Sequence, residues 1–412
     1  MPDRPAPPAG DAAAIPPSFA IYLVSRFSAA TAVMLLRTTL FWHVFELTGS
    51  EFHVGLLGLV QFAPTLAFTL VGGAVADAYD RKRVMRIAQL PILAAGATLF
   101  WVTQAGAASL PALYGAAFLI FCAFAFDSPA RQALVPTLVP LAAFPRAVTI
   151  ASTIQTLAFA LGPAVAGFTI DHAGLPAAYG LYVALVAANW VGIGFFRPVR
   201  EGGERRAPSW QGVREGLAFV RAQPVVLGCM ALDMFAVMFA SVTALLPVYA
   251  KEILAVGPSG LGVLGSSLEL GGLLVAVPMM LRPPASRPGR ALLIGVGVYG
   301  LATIVFGLSR AFPLSVAAYM VVGMADQVSV VMRQTAIQLE TPDTLRGRVS
   351  AVNMIFIQAS NQLGAARAGF VAAATSPTFA VVSGGIGCLL VLALVAWRIP
   401  ELRRYRLGTL RT

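Results

Sequence analysis

Asp233, Glu269 and Asp326, together with Arg26, Arg37 and Arg367, stand inside long apolar stretches of the chain. A charge in an apolar run is expensive. Such residues line a cavity or pair with one another. A buried carboxyl with no counter-ion can take up and release a proton near neutral pH, whereas one beside an arginine stays ionised. On rough counting of depth, Asp233 is the first choice for a proton-carrying carboxylate, Asp326 the second and Glu269 the third. Arg37 is the candidate for holding an anionic group, with Arg367, Phe235 and Phe239 as further substrate-cavity candidates. The competing reading is a set of structural ion pairs, for example Arg367 with Glu269 or with Asp326. Little else in the chain suggests covalent chemistry. Three histidines and three cysteines (Cys122, Cys229, Cys388) are scattered rather than clustered, which argues against a metal centre and a disulfide framework. No phosphate-cradling Gly-x-x-x-x-Gly-Lys-Ser/Thr loop occurs. The expectation is a protein that is not an enzyme and needs no cofactor.

Composition says what must position those charges. Of the 412 residues, 58% are hydrophobic and 11% charged. Soluble domains carry about 25% charged residues, so this chain cannot cover a water-facing surface. Its apolar runs of roughly 18–25 residues are long enough to cross a ~30 Å hydrocarbon layer as helices. Strict alternation over ~10 residues, the mark of a membrane β-barrel, is absent. Twelve spans are expected, beginning near Phe19, His53, Met85, Leu110, Val148, Pro176, Val225, Ser259, Ala291, Phe312, Val349 and Thr378. No cleavable signal is evident, because the Ala12–Ala14 stretch precedes the first apolar run.

The basic residues orient the spans. Loops on one side, with both tails, hold 24 of the 29 lysines and arginines, including Arg81, Lys82, Arg83, Arg86, Arg131, Arg146, Arg333, Arg346 and Arg348. The opposite loops hold Lys251 and Arg310. The positive-inside rule then puts both termini in the cytoplasm of a multi-pass protein of the cell (inner) membrane. The formal charge of +11 is accounted for by lipid head groups, so no nucleic acid partner is implied.

The chain also repeats itself. At an offset of 202 residues, Arg131-Gln132 falls on Arg333-Gln334, Pro140 on Pro342, Arg146 on Arg348, Leu161-Gly162 on Leu363-Gly364, and Gly167-Phe168 on Gly369-Phe370. Duplication on this scale suits two halves that rock about a site at their interface. The expected organisation is a disordered tail at 1–18, a six-helix half at 19–196, a linker at 197–223, a second six-helix half at 224–398 and a tail at 399–412. In the linker, Trp210, Val213, Leu217 and Val220 share one face of a short amphipathic helix on the membrane surface.

Between the second and third spans stands Gly72-Gly73-Ala74-Val75-Ala76-Asp77-Ala78-Tyr79-Asp80-Arg81-Lys82-Arg83. This resembles the signature loop of the major facilitator superfamily: a Gly, an acid four residues on, then a basic cluster. Asp127-Ser128-Pro129-Ala130-Arg131-Gln132, Leu245-Leu246-Pro247 and Arg346-Gly347-Arg348-Val349-Ser350 extend the likeness to the branch containing enterobactin-type siderophore exporters and drug or macrolide efflux proteins. Two positions depart from the pattern: Ala78 stands where the family usually has a base, and Asp80 where it has a second Gly.

The resemblance implies an all-α membrane protein with twelve transmembrane helices in two pseudo-symmetric six-helix halves. It implies a gating loop of Gly73, Asp77, Asp80, Arg81, Lys82 and Arg83, with Arg346 and Arg348 opposite. An acid at Asp77 can also face a helix N-terminus, which carries partial positive charge. Ala158–Gly167, with Gly162, Pro163 and Gly167, is similar to the Gly-Pro motif of the superfamily's antiporters. The expected function is a proton-coupled exporter of siderophores, drugs or similar amphipathic molecules. Its partners are then a small-molecule substrate, protons and the lipid bilayer, and it is expected to be monomeric. An importer or facilitator of a small nutrient is the alternative. A membrane sensor on the same scaffold is a third reading.

Overall fold

The computed structural model describes residues 16–196, 210–281, 287–342 and 344–405; the side chains of Leu70, Asp77, Leu141, Trp210–Val213 and Met280 are also outside the description. Residues 1–15 and 406–412 of the expected tails and 197–209 of the expected linker therefore lie outside the described residues.

The elements are helical throughout the described residues. The first half of the chain gives α1 (Pro17–Thr48), α2 (Glu51–Ala78), α3 (Arg81–Gln104), α4 (Leu110–Leu134) and α5 (Phe144–Gly194). Then come α6 (Trp210–Ala222), α7 (Pro224–Ala240), the single turn α8 (Leu246–Val248) with a π-helical turn at Tyr249–Ile253, and α9 (Gly257–Leu281). The chain closes with α10 (Pro288–Leu308), α11 (Phe312–Glu340), α12 (Arg346–Ala374), α13 (Pro377–Arg398) and α14 (Pro400–Arg404). Several of these helices open with proline in the first turn, among them α4, α5, α7, α10, α11 and α13. Proline is preset for that place and its missing N–H is not needed there.

Ten of the described helices are long and apolar enough to cross a membrane. One of them, α5, runs 51 residues, but Gly174 inside it has φ 81°, ψ 172°. At 1.5 Å per residue a straight helix of that length would be more than twice the ~30 Å hydrocarbon thickness. Gly174, without a Cβ, takes the left-handed conformation and divides α5 into two legs. A further helix, α12, has 29 residues but is less apolar, because it carries Arg346, Arg348, Asn353, Asn361, Gln362 and Arg367. With α5 divided and α12 added, the helices begin within four residues of each of the twelve expected starts.

The chain forms two compact units. One draws on Met1–Arg37, Ala67–Gly162 and Leu175–Pro208; the other on Thr38–Leu66, Pro163–Gly174 and Ser209–Thr412. In the first, Phe19, Tyr22, Met85, Leu134, Leu138, Val139, Ile193 and Phe196 form a buried apolar cluster. In the second, Val220, Val226, Cys229, Leu232, Leu292, Met332, Ile337, Val349 and Leu402 do so. Large apolar side chains such as Trp101, Leu281 and Trp397 are exposed, as expected where lipid tails are the solvent. Between such helices burial of apolar surface gives no drive, so close packing of small residues has to supply it. At Gly72, in α2, an added Cβ would lie 2.0 Å from the Ala125 carbonyl oxygen of α4.

Candidate functional site

The first unit contains a buried polar network built on Arg131. This arginine sits in the last turn of α4, 9% exposed. Its Nε donates to Asp127 Oδ2 at 3.1 Å, one helical turn back, and Nη2 donates to Asp127 Oδ1 at 3.3 Å. Gln89 of α3 donates to the same carboxylate at 3.0 Å. On the far side, Arg131 donates to Asn189 Oδ1 at 3.4 Å, and Ser25 of α1 donates to that oxygen at 2.7 Å. Four spans are tied through one guanidinium. Arg131, expected in a loop as a topology marker, lies instead at the buried end of a helix. The i, i+4 spacing of Asp127 and Arg131 on a helix is the signal that could have found the pair.

Removing one partner of a buried pair leaves an uncompensated charge, which costs about 3–5 kcal/mol. Asp127→Ala is therefore expected to lower membrane abundance and the detergent melting temperature sharply. The double substitution Asp127→Leu with Arg131→Met, which removes both charges, should recover most of that loss. Fluorescence-detected size exclusion after heating measures it.

The second unit holds the counterpart. Arg333, the residue 202 positions after Arg131, is 2% exposed in α11 and forms an ion pair with Asp233 of α7, itself 7% exposed. Beside the pair lies a small cavity lined by Asp233, Ala236, Val237, Val296, Tyr299, Asp326 and Ser329. Two of the three expected carboxyls thus meet at one place. They differ in company: Asp233 has Arg333, whereas Asp326 has no basic side chain within ion-pair distance among the described residues.

The other expected cavity residues lie elsewhere. Arg367 of α12 is not paired with Glu269 or Asp326. It donates to the Phe239 carbonyl of α7 and to Ser383 Oγ of α13 at 3.2 Å, with its guanidinium over the Phe239 ring. Backbone and hydroxyl acceptors hold it, so it joins three helices instead of facing an acid. Glu269 is half-buried in α9, Arg37 half-buried in α1, and Phe235 exposed in α7.

The expected gating loop is structured by its own side chains. Asp80 caps α3, accepting from the Arg83 amide at 2.7 Å. Arg81 donates to the Ala133 carbonyl near the end of α4 at 2.7 Å. Lys82 donates to the Gly194 and Phe196 carbonyls at the end of α5. Asp77 ends α2 one residue before its last, with its side chain outside the described residues. Arg348 pairs with Glu215 of the amphipathic helix α6 at 2.6 Å, both about 40% exposed, a setting in which an ion pair contributes at most about 1 kcal/mol. Arg346, in the first turn of α12, is exposed.

The Gly-Pro segment is a tight packing element. A Cβ on Gly162 would lie 2.4 Å from Met34 Cβ; one on Gly167 would lie 2.3 Å from the Pro258 carbonyl oxygen and 2.8 Å from Gly262 Cα. Pro163 in turn touches Gly262 and Gly265 of α9. Gly167→Leu is expected to cost about 1–3 kcal/mol through overpacking, measured as a lower melting temperature, whereas substitution at Gly115, which faces open space, should change it little.

Apolar helices with buried, paired charges beside an internal cavity, in a duplicated chain that is helical throughout its described residues, define a multi-pass membrane transporter of the major facilitator type. Residues 16–407 match the transmembrane secretion effector family, and the chain belongs to it. It is 24% identical over 390 residues to the enterobactin exporter EntS of Escherichia coli O139:H28 (strain E24377A / ETEC), covering 95% of this chain and 94% of that one. The EntS of Escherichia fergusonii matches at the same identity and coverage. Among solved structures, a peptide transporter POT in complex with sulfate superposes with a TM-score of 0.73 at 14% identity, covering 95% of this chain and 96% of that one. The nucleoside transporter NupG gives 0.68 at 13% identity, with 95% and 100% covered. At such identities the likeness is one of fold.

Proposed function

We propose that the protein is a proton-coupled exporter of siderophores, drugs or similar small amphipathic molecules, working as a monomer by alternating access, with both termini in the cytoplasm. The observation that carries the coupling is the Asp233–Asp326 cavity, where one carboxyl has an arginine and the other has none. A charge left uncompensated in a membrane interior is the one that a proton must neutralise. This moves Asp326 ahead of Asp233 as the coupling group. Asp233 becomes the counter-ion that lets Arg333 stay buried, and Glu269 ranks third. Export as the direction is supported by the family and by the name of the EntS relatives. Fold alone does not give direction, since transporters of other substrates share it. The orientation rests on the basic loops. Asp77, with Arg81, Arg83, Arg346 or Arg348, remains the proposed latch, which closes the cytoplasmic gate and breaks when it opens.

Efflux from preloaded cells, across siderophores, macrolides and cationic dyes, tests the reading. The expected result is export of at least one compound class that stops when a protonophore is added. Uptake in place of efflux, or efflux indifferent to the protonophore, would contradict it.

A further inference from the structure

A cleft of about 470 Å³ opens at one end of the first unit, between the start of α3 and the second leg of α5. Its lining is Asp80, Lys82, Arg83, Arg86, Ile87, Leu90 and Trp190. Three cations face it and one carboxylate, and that carboxylate is already engaged as the cap of α3. Lys82 spends two of its three donors on the Gly194 and Phe196 carbonyls, which leaves one. Arg83 and Arg86 are exposed and have no carboxylate within ion-pair distance among the described residues. The Arg86 guanidinium lies 4.7 Å from the centre of the Trp190 ring, and the Trp190 indole N–H donates to the Arg86 carbonyl at 3.2 Å. Arg86 is thereby held at the cleft mouth without its charge being neutralised.

The apolar wall is as informative as the cations. Ile87 and Leu90 follow Lys82, Arg83 and Arg86 along α3, one turn deeper into the span, and are 60% and 51% exposed. A charged rim at the helix end thus continues into an apolar wall facing the hydrocarbon. Trp190 marks the level where the two meet, the usual depth of interfacial tryptophan. The volume is far more than a single water or inorganic anion fills. A water-soluble anion would have no use for the exposed isoleucine and leucine.

We infer that this cleft binds one anionic phospholipid, its phosphate between Lys82, Arg83 and Arg86 and an acyl chain along Ile87 and Leu90. Basic pockets between membrane helices recognise such head groups, at about 1 kcal/mol per Lys or Arg near the surface. Because Arg81 and Lys82 also fasten α3 to α4 and α5, the lipid would brace the loop that precedes α3.

The test uses the full chain purified in detergent, with phosphatidylglycerol or phosphatidylcholine added and retained lipids counted by native mass spectrometry. Wild type should retain one phosphatidylglycerol and no matching phosphatidylcholine. Arg86→Gln, an exposed and structurally mild change, should weaken retention by roughly fivefold, and Arg83→Gln with Arg86→Gln by roughly thirtyfold. Arg403→Gln with Arg404→Gln, which alters charges on α14, should leave retention unchanged. Equal retention by wild type and the double Arg83/Arg86 variant would overturn the site. Equal retention of phosphatidylcholine would overturn its anionic selectivity. Displacement of the lipid by inorganic phosphate at equal concentration would show an anion site without a lipid.

Discussion

Asp326→Asn is expected to abolish proton-driven efflux while the protein reaches the membrane at wild-type abundance. The substitution is nearly isosteric, and removing a charge that lacks a counter-ion relieves a burial cost instead of creating one. Stability should hold or rise slightly. Concentrative efflux should fall at least about tenfold, equivalent to about 1.4 kcal/mol on the coupled step. Substrate exchange that needs no net proton movement should survive, and an exchange assay in vesicles separates the two. Full concentrative efflux by Asp326→Asn would transfer the coupling role to Asp233 or Glu269.

The second large effect concerns Arg333. Arg333→Met leaves Asp233 buried without its partner, and the expected cost is about 3–5 kcal/mol. The protein should be nearly absent from the membrane, or melt far below wild type. Adding Asp233→Asn should restore abundance, because both charges are then gone. Whether transport returns with it divides two roles. Recovered abundance with recovered efflux makes the pair a structural tie between α7 and α11. Recovered abundance without efflux gives Asp233 a part in transport beyond holding Arg333.

The sequence disclosed the spans because each must be apolar for about 20 residues, and such a property is local. It also disclosed the break at Gly174 indirectly, as a gap between expected starts. Pairing was harder to read. Asp233 and Arg333 are 100 positions apart, and nothing in either neighbourhood names the other. Arg131 and Arg333 stand near polar breaks, where positive charge ordinarily reports topology, and so read as loop residues. Their match at the 202-residue offset was visible, and so was Asp127 one turn from Arg131. Those signals point to buried, duplicated anchors once depth is set aside. The competing ion-pair reading of Arg367 is not what the structure shows: an arginine in a span invites an acid as partner, yet a carbonyl near the end of a helix such as α7 holds it as well. Small residues at Gly162 and Gly167 permit close packing, but their partners Met34, Pro258 and Gly262 lie far away in the chain and are not legible from it.

The most direct test of proton-coupled export is purified protein in proteoliposomes carrying an internal pH dye, with a substrate from the efflux panel moved across the membrane. The account predicts that substrate movement drives protons the opposite way, that an imposed pH gradient drives substrate uphill, and that Asp326→Asn loses both. Substrate transport at the full wild-type rate with no accompanying proton movement would contradict it.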